Sequence, residues 1–114
     1  MIAMIRVKFY YHEKQLSGFQ LRGHAESGPY GQDIVCAAVS MLTINTINSI
    51  EELAGIDPGD FQQYYANQKD GGDIKFKLTA AQAQDERVAL LLASFKLGIK
   101  TTAEQYKDFI TIKN

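Results

Sequence analysis

The chain has 114 residues, 46% of them apolar and 22% charged, with a formal net charge of −1. That length holds one domain with one core and is short for two, and the composition is that of a globular domain folding in water. A charge this close to zero leaves no electrostatic footprint for direct contact with nucleic acid or an anionic membrane, so neither is an expected partner.

In chain order, MIAMIRVKFYY carries no basic leader and alternates like a strand, so no signal peptide is expected, and Met4 can serve as the start. Ile5 to Tyr11, rich in β-branched and aromatic residues, reads as the first strand. HEKQLSG (12–18) turns the chain into a second strand over Phe19 to Ala25, which makes a hairpin, and Gly28, Pro29 and Gly31 punctuate the loop that follows. Asp33 is placed to N-cap a helix over IVCAAVSMLTINTINSIEELAG. Val35, Val39, Leu42 and Ile50 fall near one face, with Ala38, Thr46 and Leu53 filling it in and Gly55 as the stop. The first half of this helix is apolar all round, which predicts burial on more than one side, under a sheet and a second helix or at a subunit interface. Ser40, Thr43, Asn45, Thr46, Asn48 and Ser49 interrupt the least charged stretch, Ile34 to Ile50, so no membrane span is expected.

IDPGD reads as a turn, and Phe61 to Ala66 as a third strand. NQKDGGD is a hairpin loop in which Gly71 and Gly72 supply positive φ. Ile74, Phe76 and Leu78 alternate with Lys75, Lys77 and Thr79, which predicts a fourth strand with one wet face. Thr79 and Gln82 have the spacing of a capping box. They open a helix with Val88, Leu91, Leu92 and Phe95 toward the core and Gly98 at its end. Thr102 to Asp108 adds a helical turn or two, and Phe109 to Ile112 a short last strand. The expected architecture is one α+β domain over residues 1–114, in the order β-β-α-β-β-α, with a small sheet packed against two helices.

The chemistry concentrates in GHAESGPYGQDIVCAAVS (23–40). The only cysteine, Cys36, rules out an internal disulfide and fits a reducing, cytoplasmic setting. Behind an N-cap at Asp33 it is the third helical residue, where free backbone N–H groups and the helix dipole favour a thiolate. His24 lies near the end of the second strand, and the loop from Ala25 to Gln32 is long enough to bring its imidazole beside the thiol as a cysteine–histidine dyad. Asp33 either only caps the helix or also orients the His24 ring, and its charge opposes thiolate formation. The plainer alternatives are a packed core thiol for Cys36 and a strand-end residue for His24. His24, Asp33 and Cys36 also form a conceivable ligand trio, but no paired cysteine or closely spaced histidine accompanies them, so no metal and no cofactor is expected. His12, beside a turn, is expected in solvent.

Across GHA (23–25), the glycine-containing loop, GQDIVCAAVS (31–40) and the late LGIKTTAEQY (97–106), the sequence resembles the bacterial ribosomal-processing cysteine protease family, Prp. The resemblance covers nearly the whole chain. It implies a cytoplasmic, homodimeric endopeptidase that removes the short N-terminal extension from the precursor of large-subunit ribosomal protein twenty-seven. It makes Cys36 the nucleophile, His24 the general base and acid, and Asp33 a candidate orienter. A thioester would form on Cys36 and be hydrolysed by water that His24 activates. Backbone N–H groups of Cys36 and Ala37 are the candidate oxyanion donors. The loop of Glu26, Ser27, Gly28, Pro29, Tyr30, Gly31 and Gln32 is the expected cover over an extended substrate, which could also add to a free sheet edge. A non-catalytic ribosome-assembly binding protein is the competing class, and it would keep its function in Cys36→Ala. Acyl transfer on small molecules is a third, disfavoured by the absence of a Gly-rich cofactor loop.

Overall fold

Ile5–His12 (β1) and Gln15–Arg22 (β2) pair antiparallel, with Val7 opposite Leu21 and Phe9 opposite Phe19. The computed structural model in which they are seen describes residues 4–23, 30–67 and 72–113, with 30–33 as backbone only. The turn is shorter than HEKQLSG suggests: only Glu13 and Lys14 separate the strands, and Glu13 takes φ 56°. Gly18, expected in the turn, lies inside β2 opposite Tyr10 and Lys77. A Cβ there would meet the Phe76 carbonyl oxygen and come within 2.9 Å of Lys77 Cα, so this glycine serves close backbone approach within the sheet. At the other end β2 stops at Arg22, short of the expected Ala25, because Gly23 turns away at φ 82°.

Helix α1 runs Tyr30–Glu52 and starts three residues before Asp33, so Asp33 is helical and is not the N-cap. Its buried face includes Val35, Cys36, Val39, Ile47 and Ile50. Thr43 and Thr46 are buried as well, and each hydroxyl donates to the carbonyl one turn back, Val39 and Leu42, at 2.8 Å. Leu53 does not join this face; it lies beyond the helix end and is 70% exposed. Gly55, at φ 73°, lets the chain turn so that the Ile56 N–H reaches the Ile50 carbonyl at 3.3 Å. By length and composition alone Ile34–Glu52 is apolar enough to cross a membrane, contrary to the sequence reading, and its apolar residues serve the core on one side.

A 3-10 turn, Pro58–Asp60, is capped by Asp57 Oδ1, which accepts from Gly59 N–H at 2.9 Å. Strand β3 is Gln63–Asn67, not Phe61 to Ala66; Phe61 instead sets its ring edge-on to Phe76, 4.9 Å between centroids. Strand β4 is Asp73–Lys77, preceded by Gly72 at φ 93° as expected; Gly71 lies outside the described residues. The Thr79–Gln82 capping box forms in both directions, at 3.2 and 3.0 Å, and opens a short α2, Ala80–Gln84. The expected single helix breaks at Asp85, whose carboxylate accepts from the N–H groups of Arg87 and Val88 and starts α3, Glu86–Gln105. Gly98 does not end α3. A Cβ on it would be 3.0 Å from Leu42 Cδ2, so it lets α3 lie close on α1.

Strand β5, Ile110–Lys113, pairs parallel with β1 and completes a five-stranded sheet in the order β3-β4-β2-β1-β5. The fold is α+β, with three α-helices among the described residues where two were expected. Ile5, Val7, Phe9, Phe19, Leu21, Ile74 and Phe76 point from one sheet face into a single cluster with residues of α1 and α3. Phe95 of α3 stacks on Phe19 at 4.2 Å, and its full burial contributes about 1.5–3 kcal/mol.

Candidate active site

Two fixed points frame the motif 23–40. The first is Gly23. Its φ of 82° is one that L side chains rarely adopt, its N–H donates to the Gly72 carbonyl at 3.0 Å, and a Cβ would fall 2.9 Å from the Met4 carbonyl oxygen. Only glycine satisfies all three. Arg22, just before it, meets Asp73 at 3.6 Å, a partly exposed pair of small energetic worth. The residue that follows this anchor is His24. His24 and the loop residues Ala25, Glu26, Ser27, Gly28 and Pro29 lie outside the described residues.

The second fixed point is Cys36, the seventh residue of α1. It is 7% exposed and belongs to the apolar cluster beside Val35 and Val39. Burial of this kind opposes ionisation of a thiol, so a reactive thiolate here needs a cationic or hydrogen-bonding partner. Asp33, three residues earlier, shares the Cys36 side of the helix by spacing.

The early helix start changes three expectations. Tyr30, Gly31 and Gln32, expected in the loop, are the first turn of α1. The thiol is about 9 Å along the axis from the helix start, beyond the turn in which the dipole acts. The N–H groups of Cys36 and Ala37 fall in the helix interior, where the α-helical pattern pairs them with the carbonyls of Gln32 and Asp33. The amides left without helical partners are those of the first turn, 30–33.

His12 is not in solvent. It is half-buried, and its Nε2 donates to the Leu78 carbonyl at 3.0 Å, tying the end of β1 to the start of the α2 region. Among the described residues no three His, Cys, Asp or Glu side chains converge as a metal site. The sequence reading missed the supports of Gly23, Met4 and Gly72. Their only trace in the sequence is the glycine of GHA and the GGD that precedes β4.

Comparison with known proteins gives this frame a context. Residues 4–111 match the family model described as cysteine protease Prp. A ribosomal processing cysteine protease Prp from Bacillus subtilis is 28% identical over 103 residues, 89% of this chain and 88% of the relative. The chain resembles the crystal structure of a Streptococcus mutans protein with a TM-score of 0.86 at 41% identity, covering 97% of this chain and 93% of that one. It also resembles an essential ribosomal processing protease Prp from S. aureus, solved in complex with a substrate peptide. There the TM-score is 0.74 at 25% identity, over 96% of this chain and 98% of that one. The same S. aureus protease with a covalently linked product peptide gives a TM-score of 0.71.

Proposed function

The chain belongs to the Prp family of cysteine proteases, which are hydrolases, and from that premise we propose that it is an endopeptidase using a Cys36–His24 dyad to trim the N-terminal extension of the precursor of large-subunit ribosomal protein twenty-seven. The observation that carries the reading is the pair of anchors around one short connection. Gly23 is pinned at the end of β2, Cys36 is held on α1, and only His24 to Pro29 joins the two elements. The covalently linked product peptide on the S. aureus relative supports a nucleophilic mechanism.

In the proposed reaction the Cys36 thiolate attacks the scissile carbonyl carbon. The C–N bond breaks as the His24 imidazolium gives its proton to the leaving amine. Water, losing a proton to His24, then attacks the thioester carbonyl, and the C–S bond breaks to restore the thiolate. Asp33 acts as an orienter of His24, and the residues from Glu26 to Gln32 cover the peptide. A reducing cytoplasm and a homodimer are part of the same proposal.

The oxyanion donors are proposed to be the N–H groups of Cys36 and Ala37. They are bonded within α1, so they become available only when its first two turns open around substrate. Hydrogen exchange tests this: a peptide aldehyde held on Cys36 should speed exchange at 34 and 35, whose N–H groups lose the carbonyls of 30 and 31 as the turns open, and slow it at 36 and 37, whose N–H groups pass to the aldehyde oxygen. Unchanged exchange throughout 30–37 would remove these amides from the mechanism.

Intact-mass spectrometry of the ribosomal protein precursor, incubated with the wild-type chain, Cys36→Ala and Asp33→Asn, tests the reading as a whole. One shortened product is expected with the wild type, none with Cys36→Ala, and slower formation with Asp33→Asn. An unshortened precursor beside a folded, reduced wild-type chain would refute the proposed substrate.

A further inference from the structure

We propose that the open face of the sheet, opposite the helices, binds single-stranded RNA. The strand register sets out this face row by row. Lys113, Lys8, Gln20, Lys75 and Tyr65 stand side by side across all five strands. In the next row Arg6 lies opposite Arg22, and Arg22 opposite Asp73. On the other side of the Lys8–Gln20 row, Tyr10 and Lys77 flank Gly18. Among the described residues, six lysines and arginines therefore project from this face, against one acid, Asp73. Asp73 is already engaged: it accepts from Gln20 Nε2 at 2.9 Å and from the Tyr65 hydroxyl at 3.2 Å, and pairs with Arg22.

The pairing on this face favours an anionic partner. Like charges stand directly opposite on adjacent strands, Arg6 with Arg22 and Lys8 with Lys113, an arrangement that destabilises a sheet. Three ammonium groups, of Lys8, Lys75 and Lys77, gather over one Tyr10 ring at 5.2, 5.4 and 4.8 Å from its centroid, which attracts them and concentrates positive charge at this point of the face. Beside them lies a depression of about 340 Å³ lined by Arg6, Lys8, Arg22 and Lys113, with Gln20 and Thr111. Four cations thus converge on one concave seat, and no acid among the described residues lines it.

The uncharged groups select the anion. Arg6 and Arg22 offer planar forks suited to phosphate oxygens. Thr111, exposed on β5, can both donate and accept, as base edges and a 2′-hydroxyl require and a carboxylate side chain does not; Gln20 is held in place by Tyr10, Tyr65 and Asp73. Tyr65, 38% exposed at one side of the face, offers a ring on which a base can stack. The inward-pointing strand residues are the apolar ones, so this face has no aliphatic stripe to insert into lipid. The inference does not depend on which peptide Cys36 cuts, because that residue belongs to the cluster on the opposite side of the sheet.

Fluorescence anisotropy of a labelled single-stranded RNA dodecamer, titrated with the full chain at several salt concentrations, tests the proposal. The wild type should bind RNA, more tightly than DNA of the same sequence, with affinity falling steeply as salt rises. The triple variant Arg6→Gln/Lys8→Gln/Lys113→Gln should bind at least about tenfold more weakly, with its log–log salt slope reduced by about 2, at about 0.7 per phosphate contact. A control with Lys14, Lys100 and Lys107 changed to glutamine, equal in charge and elsewhere on the surface, should bind as the wild type does. Circular dichroism and thermal melting establish that each variant is folded. No RNA binding by the wild type at low salt would overturn the proposal, and so would equal weakening in the two triple variants. Equal or tighter binding of DNA, an acidic polyglutamate peptide or anionic vesicles would overturn the assignment to RNA.

Discussion

At the scale of single residues, the position with the least freedom is Gly23. A side chain there would carry the left-handed backbone penalty, about 1–2 kcal/mol, and would press on the Met4 carbonyl at 2.9 Å. Relief of that clash would swing the chain just where His24 begins. Gly23→Ala is therefore expected to lower kcat for peptide cleavage by more than its small loss of stability explains, with KM little changed. Steady-state kinetics beside a thermal melt checks this, and a KM effect alone would show that Gly23 serves binding. Gly23 acts as a positioning residue. Its glycine is plain in the sequence, but its reason is not, because Met4 and Gly72 reach it only through the sheet.

At the scale of elements, local chemistry was readable wherever it was self-contained. The Thr79–Gln82 box and the alternation of β4 need only their own few residues. The errors came where a distant partner decides. Gly98 has the look of a helix stop, yet α3 continues through it because Leu42 of α1 fills the space a Cβ would need. Gly31 suggests a loop, yet it is helical at the head of a helix whose buried face, from Val35 to Ile50, holds it to the core. Asp85 is the clearest local stop the reading overlooked, and it supplies a pH test. The Arg87 side chain, first, and then the N–H groups of Val88 and Arg87 hold its carboxyl below the ordinary carboxylate value. A depressed pKa means the folded state favours the charged form. The contribution is therefore complete above the ordinary carboxylate range and is lost as pH falls through the lowered value. The difference in Tm between the wild type and Asp85→Ala should be widest at neutral pH and narrow in acid. A difference that grows in acid would contradict the cap.

At the scale of the whole molecule, α1 keeps an outer apolar stripe, Ile34, Met41 and Ile44, that is 43%, 65% and 49% exposed while the opposite stripe is in the core. Leu90 and Leu97 of α3 are exposed as well, at 71% and 68%. Exposed apolar area on two helices packed against each other fits the proposed homodimer. Sedimentation at micromolar concentration should give a dimer for the wild type and a monomer for Met41→Glu. A monomeric wild type would count against the proposal, and a dimeric Met41→Glu would move the interface elsewhere. The molecule also separates its charges in a way that a net value of −1 conceals, since summation over the chain discards which face each side chain takes.

By itself the sequence determined the kinds of element, the inward and outward residues of most strands, and the family, because alternation, caps and the 23–40 motif are properties of neighbours along the chain. The tertiary structure alone decided that β5 lies parallel beside β1 and that β2 runs between β1 and β4. It also decided that the thiol sits two turns inside a helix and that six cations share one sheet face. Those outcomes depend on hydrogen bonds and packing between residues far apart in sequence, and no local pattern encodes which distant strand or helix will supply the partner.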